Sequence, residues 1–294
     1  MCPISVPGEI ERKVLDEVYS TKKQWTVQQV IDKILEDMCG GPKFETTCDI
    51  ITVGDPQNVV TGVATTFMAT FDVIKEAVSQ GKNFIITHEP TWFTGMDSTD
   101  WCKGDSVYMA KRKYLEEHGI TVWRLHDHMH MGSQTDYIYE GLLQELGWKQ
   151  YLQPDEKFPW VYEIPETTIG ELALLFKDRL GMDTIQIIGD ADMKVHRAGI
   201  LVGGGSLGFG VEEMPMQVME RNKLDLMIVG DITEWTLCAY INDAYQMGMN
   251  RGMLTLGHER SEEAGMKYLA AWMQERFTDF PIQFIDAKEP FQYL

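Results

Sequence analysis

Nowhere in its 294 residues does the chain hold an apolar run approaching the roughly 18 residues that a membrane-crossing helix needs. Its first residues, Met-Cys-Pro-Ile-Ser-Val-Pro-Gly-Glu, contain no apolar stretch of the kind a signal peptide or lipoprotein signal requires, and neither is expected. Cysteine is scarce and scattered: Cys2, Cys39, Cys48, Cys102 and Cys238 are odd in number and show no CxxC spacing. That pattern argues against a thiolate zinc site and for a reducing cytoplasm. Basic residues are outnumbered, with 26 Lys and Arg against 45 Asp and Glu, for a net charge of −19. Such a surface repels polyanions, so neither nucleic acid nor a membrane is expected as a partner. The one glycine-rich run, Gly203-Gly204-Gly205-Ser206, lacks the Lys-Ser/Thr of a P-loop and the dinucleotide fingerprint, and reads as a flexible turn.

What is present suffices for two domains with sizeable cores: 44% of residues are apolar and 11% aromatic. Residues 8–38 are helical in pattern, with the first twenty or so reading as an appended helix. Within this stretch Thr26-Val27-Gln28-Gln29 resembles a capping box, followed by Val30, Ile31, Ile34 and Leu35 on one face. Residues 59–93 read as strand–helix–strand, ending in the short β-leaning run Phe84–Thr87. A helix from Ser106 and a strand over Ile120–Leu125 follow, then a helix over Tyr137–Leu146. The Pro- and aromatic-rich residues 151–165 read as a connection. Residues 195–232 then repeat the plan of the first unit, with Leu224–Val229 in the place of Phe84–Thr87, so two related α/β halves are expected. The boundaries are an N-terminal extension over 1–25, domains over 26–140 and 141–255, and a segment over 256–294 that packs back on the first domain.

Chemistry gathers at three strand ends, where α/β sheets collect their ligands. His88 and Glu89 follow the first. At the second, His126-Asp127-His128-Met129-His130 places three of the seven histidines within five residues. Extended backbone would put all three on one side, whereas a helical turn would pair His126 with His130. At the third, Gly257-His258-Glu259-Arg260-Ser261-Glu262 puts His258 and Glu262 one turn apart at a helix start. Imidazole and carboxylate together suit zinc, manganese, iron or nickel. The three clusters supply enough donors for two divalent metal ions, with Glu262 or Glu89 as the bridging carboxylate, and with His126 or Glu259 to move protons in a hydrolysis.

The ordered set Thr87-His88-Glu89-Pro90, His126-xxx-His130, Gly230-Asp231-Ile232 and Gly257-His258-xxx-Glu262 resembles the Nif-three-like family, homologues of GTP cyclohydrolase I type 2. Gly54-Asp55-Pro56 and Val195–Ser206 extend the similarity over about residues 26–294. The resemblance implies two related α/β domains with a dinuclear metal centre in the cleft between them, assembled as a hexameric toroid. Carried over by position, the metal ligands would be His88, Glu89, His130, His258 and Glu262, with Asp127 or His128 as alternatives to His130. It also implies a small-molecule substrate, a nucleotide or cyclic amide, or else a non-enzymatic role in regulation or metallocentre handling. The chain departs from the family pattern at four places. Glu89 stands where the family has a histidine, His130 where it has an aspartate, Glu234-Trp235 where it has an aromatic-His pair, and Met68 where it has a first-strand aspartate. The first two exchanges nearly cancel, keeping donor count and charge.

Overall fold

A computed structural model describes residues 22–153 and 160–294; the helix expected over the first twenty residues lies outside them. Helix α1 (Val27–Cys39) begins at the expected capping box: Thr26 accepts from Gln29 N while Gln29 reaches back to Thr26 N. It is followed by β1 (Ile51–Val53), β2 (Val63–Thr66), α2 (Phe71–Ser79), β3 (Phe84–Thr87), α3 (Ser106–Glu117), β4 (Thr121–Arg124), the short α4 (Asp127–Met131) and α5 (Tyr137–Leu146). The second half runs β5 (Val161–Thr168), α6 (Ile169–Leu180), β6 (Gln186–Ile188), β7 (Lys194–Leu201), α7 (Glu213–Arg221), β8 (Leu226–Val229), α8 (Ala239–Gln246), β9 (Gly252–Thr255), α9 (His258–Gln274) and β10 (Ile282–Phe284).

The two halves share one sheet plan. In the first the strand order is β1-β4-β3-β2-β10, with β10, β2, β3 and β4 parallel and β1 antiparallel on β4. In the second it is β5-β7-β8-β9-β6, with β7, β8 and β9 parallel and β6 antiparallel on β9. Thus β1-β4-β3-β2 matches β6-β9-β8-β7, and each half adds one further strand at its other edge. The α/β fold of two related halves expected from the sequence is what the structure shows.

Part of the connection expected over 151–165 is instead the edge strand β5, antiparallel to β7. The strand contains Pro165; an edge position tolerates the missing N–H, and the register shifts between Glu163 and Thr167, around the proline.

Three hydrophobic clusters define the layering. One lies outside the first sheet, where Ile85 and Val122 meet Ile74 of α2 and Leu115 of α3. Another lies outside the second sheet, where Met227 and Val229 meet Val218 of α7 and Ile241 of α8. The largest joins the inner faces of both sheets, Ile86 and Trp123 with Ile200 and Ile228, through side chains of α1, α5, α6 and α9. Helices α5 and α9 cross closely within it. A Cβ at Gly141 would lie 2.3 Å from Ala264 O, and one at Gly265 would lie 2.7 Å from Ile138 Cα. The glycines therefore set the interhelical distance. Thr65 Oγ1 donates to Met266 O at 2.8 Å and Tyr139 OH to Ile200 O at 3.0 Å, tying these central helices to one sheet each. No helix among the described residues is long and apolar enough to cross a membrane.

Candidate metal centre

The carboxyl ends of the parallel strands of both sheets point into one cleft. β3 delivers His88 and Glu89, β4 leads through Leu125 to His126 and α4, β8 leads through Gly230 to Asp231, and β9 leads into α9 with His258 and Glu262. The backbone after β4 is helical, so of the two geometries open to the histidine cluster the helical turn is the one adopted. His126 and His130 lie with ring centroids 5.0 Å apart, and His126 stacks on His88 at 4.5 Å.

Each of these imidazoles is held from behind through Nδ1. His88 Nδ1 lies 3.1 Å from Leu125 O, His126 Nδ1 3.1 Å from Asp127 Oδ1, His130 Nδ1 2.9 Å from Asp136 Oδ2, and His258 Nδ1 2.8 Å from Asp231 Oδ2. An acceptor on Nδ1 makes that nitrogen the N–H and turns the Nε2 lone pair towards the centre, the arrangement of metal-ligating histidines. The Nε2 atoms then meet carboxylates. Glu262 Oε2 is 3.4 Å from His88 Nε2 and 3.1 Å from His258 Nε2, and its Oε1 is 3.9 Å from His130 Nε2. Glu89 Oε1 is 3.3 Å from His258 Nε2 and 3.5 Å from His126 Nε2.

Two observations show that this donor set suits cations. Glu262 Oε2 is enclosed without a hydrogen-bond partner, although imidazole nitrogens surround it. The Nε2 atoms of His88 and His130 face each other at 3.2 Å, where two neutral rings, each with its Nδ1–H committed elsewhere, would oppose lone pairs. A positive charge shared by these atoms relieves both conflicts, and without a metal a proton must supply it. Burial works against a charged His258, yet Asp231, Glu262 and Glu89 raise it to about 12. Burial likewise opposes a charged His130, but Asp136 raises it to about 9. Burial, reinforced by His126, pushes His88 below its ordinary value. Glu262 is held well below the usual carboxylate range, against the cost of its burial, by His258 and His88. His88, His126 and His130, and separately His88, Glu89 and Glu262, have their donor atoms grouped closely enough to hold an ion.

Of the two carboxylates proposed as a bridge, Glu262 reaches histidines through both oxygens. Glu89 offers only Oε1, because Oε2 lies 3.2 Å from Arg124 Nη2. Arg124, 4% exposed, also donates Nε to His88 O at 3.1 Å and Nη1 to Gly95 O at 2.5 Å. Gly203 completes the wall. Its φ is +50°, and a Cβ there would sit 2.0 Å from Glu262 Oε1.

Three expected residues stand outside this set. His128 is buried, donates Nδ1–H to Asp49 Oδ2 at 2.7 Å and accepts from Lys43 N at 3.1 Å through Nε2, so neither nitrogen is free for a ligand role. Asp127 accepts from Thr47 Oγ1 and Cys48 N and holds His126, standing behind the centre. Glu259, expected as a proton shuttle, is not in the cleft. One residue along a helix is about 100° around it, so Glu259 shares its face with Glu263, away from His258 and Glu262. Its oxygens group with those of Glu263 and Asp286, and burial pushes both Glu259 and Glu263 up to about 7.

Sequence reasoning missed two of the residues that hold the centre in place, Asp49 and Asp136. Asp49 accepts from three backbone N–H groups at the start of α4, those of His126, Asp127 and His128, besides the His128 ring. Asp136 caps α5, accepting from Ile138 N and Tyr139 N, while its other oxygen holds His130. An aspartate directly before an apolar-periodic run is a cap signal that could have marked Asp136.

Fold and site define an α/β protein of two matched halves with a histidine–carboxylate centre at their facing strand ends. The chain belongs to the Duf34/NIF3 (NGG1p interacting factor 3) family, whose model matches residues 27–290. A relative from Clostridium perfringens named GTP cyclohydrolase 1 type 2 homolog is 27% identical over 257 residues, covering 83% of this chain and 90% of the relative. A second of that name, from Clostridium acetobutylicum, is 25% identical over 221 residues, covering 72% of this chain and 76% of its own. Among solved structures, a Bacillus cereus protein related to NIF3 superposes with a TM-score of 0.69 at 14% identity, over 92% of this chain and 100% of its own. A Staphylococcus aureus protein, SA1388, does so at 0.66 and 20% identity, over 92% and 99%. These likenesses establish the fold.

Proposed function

We propose that the cleft is a dinuclear metal centre and that the protein is a metal-dependent hydrolase of small molecules. The observation that carries this reading is the convergence of four Nε2 atoms, each with its Nδ1 fixed from behind, on Glu262 and Glu89. His88, His130, His258, Glu89 and Glu262 would hold the ions, and His126 lies beside these residues. The mixed nitrogen and oxygen donors fit zinc, manganese, iron or nickel. Divalent cations held there supply Lewis acidity and charge for hydrolysis at neutral pH.

The rest of the site is the chain's own. The centre opens on a cavity of about 390 Å³, with Met131, Tyr139, Trp160, Val202 and Phe209 facing the histidines. That volume and apolar wall suit a small heterocycle, in keeping with the cyclohydrolase-homologue name of the relatives. His126 is held by Asp127 and partly exposed in the cleft, and in this reading it would move a proton to or from a bound substrate. We further propose that the chain works as a ring-shaped homo-oligomer; Phe209, Val211 and Trp235, 70%, 54% and 71% exposed, offer apolar surface for it.

Metal analysis of the purified protein should find two transition-metal ions per chain, and Glu262→Gln should reduce that number with the fold intact. A protein free of transition metal, or a Glu262→Gln variant with full occupancy, would sink the reading. Hydrolysis of a nucleotide and cyclic-amide panel tests the enzyme half of it. Full metal with no turnover would favour the non-enzymatic scaffold.

A further inference from the structure

Beside the histidine centre, the next face of α9 carries a second group of carboxylates. Glu259 and Glu263 lie one turn apart, and Asp286, just past β10, closes on them, so that one oxygen from each lies within 4.8 Å of the others. Glu259 is only 6% exposed and Glu263 8%. Both oxygens of Glu259 and one of Glu263 are enclosed with no hydrogen-bond partner. Arg260 takes the remaining Glu263 oxygen and lies 3.5 Å from Asp286 Oδ1 and 4.0 Å from Glu289 Oε2, but hydrogen-bonds neither Glu259 oxygen. One guanidinium thus faces four carboxylates, and the most deeply buried of them has no partner. An enclosed carboxylate in that state is costly. The start of α9 favours negative charge, yet the helix dipole is equivalent to only about half a unit charge.

We propose that Glu259, Glu263 and Asp286 hold a hard divalent cation, of the calcium or magnesium class, at a site separate from the histidine centre. The donors are all oxygens, the set such ions take, and water completes the shell. Their spread fits within the roughly 5 Å between opposite ligands of a calcium ion. The ion ties the segment after β10, the edge strand of the first sheet, to the helix that carries His258 and Glu262.

The test uses the full chain, stripped with a chelator, loaded with zinc to fill the histidine centre, then titrated with Ca²⁺ and separately with Mg²⁺ by calorimetry and thermal unfolding. One saturable ion per chain and a raised Tm are expected. Affinity should fall at least tenfold in Asp286→Asn and be lost in Glu259→Gln/Glu263→Gln, and it should persist in His130→Ala. Asp286 is exposed, so Asp286→Asn decides the matter where the double variant does not fold. Absence of saturable Ca²⁺ or Mg²⁺ binding by the folded wild type overturns the proposal. So does binding that Asp286→Asn leaves unchanged, or binding that His130→Ala abolishes.

Discussion

Glu89 is a divided carboxylate: Oε1 faces His258 Nε2 at 3.3 Å, while Oε2 is held 3.2 Å from Arg124 Nη2. Arg124 lies 3.8 Å from Asp97 as well, so one buried guanidinium balances two acids, the buried Asp97 and the half-buried Glu89, and aims the second. Arg124→Met should therefore do two things. Loss of the buried charge should lower stability by about 3–5 kcal/mol. Release of Glu89 should weaken metal affinity about 10–100-fold. Arg124→Lys should restore part of the stability but little of the affinity, since an ammonium cannot reproduce the forked contacts. Equal recovery of both in the lysine variant would show that charge alone matters there.

The exchange of imidazole and carboxylate between positions 89 and 130 does not stand alone. Glu89 leans on Arg124, and His130 on Asp136. A carboxylate at 130 would face Asp136, and an imidazole at 89 would face Arg124. Glu89→His/His130→Asp should accordingly bind metal no better than the weaker single variant. Occupancy near the wild-type level in the double variant, by metal analysis, would show that the centre tolerates the swap without its supports.

His128 is a structural histidine. Its ring joins Asp49 to Lys43 N and packs edge-on against Phe44 at 4.8 Å. His128→Ala should cost about 2–4 kcal/mol of stability through the cavity and the partners left unpaired, while metal number per chain stays the same. Loss of an ion from a folded His128→Ala protein would make it a candidate ligand after all.

Lys111 gives a pH signature away from the centre. It is 7% exposed and donates to Thr91 O at 2.8 Å, and burial lowers it from 10.5 to about 8. Below pH 8 folded and unfolded chains both carry the proton, and the full penalty for burying the charge applies. Between about 8 and 10.5 the folded chain gives up the proton first, so the unfolded state binds more protons and stability rises with pH. Across that window the stability of wild type minus that of Lys111→Met should climb by up to about 3 kcal/mol, read by chemical denaturation. A flat difference would mean that the ammonium is solvated.

Local signals determined much of this protein by themselves. Phe84–Thr87 and Tyr137–Leu146 begin and end where their residue patterns place them, because a short β-leaning run closed by a proline and an apolar stripe closed by a glycine are complete within a few residues. The recurrence of strand-end chemistry, His88-Glu89 against Gly230-Asp231, made the two halves legible for the same reason. The short edge strands β1 and β10 were not legible, since three residues carry little pattern and their pairing partners are distant in the chain.

The centre itself divides in the same way. The histidines and carboxylates and their strand ends could be read from spacing, but which nitrogen faces inward depends on what stands behind each ring. Leu125 O, Asp127, Asp136 and Asp231 take those places, and only Asp127 adjoins its histidine in sequence. Glu259 was drawn towards the site by its neighbours in the sequence and is turned from it by helical phase. Tertiary structure alone decided that Glu262 reaches histidines with both oxygens and Glu89 with one, because that depends on a buried arginine 35 residues further along the chain.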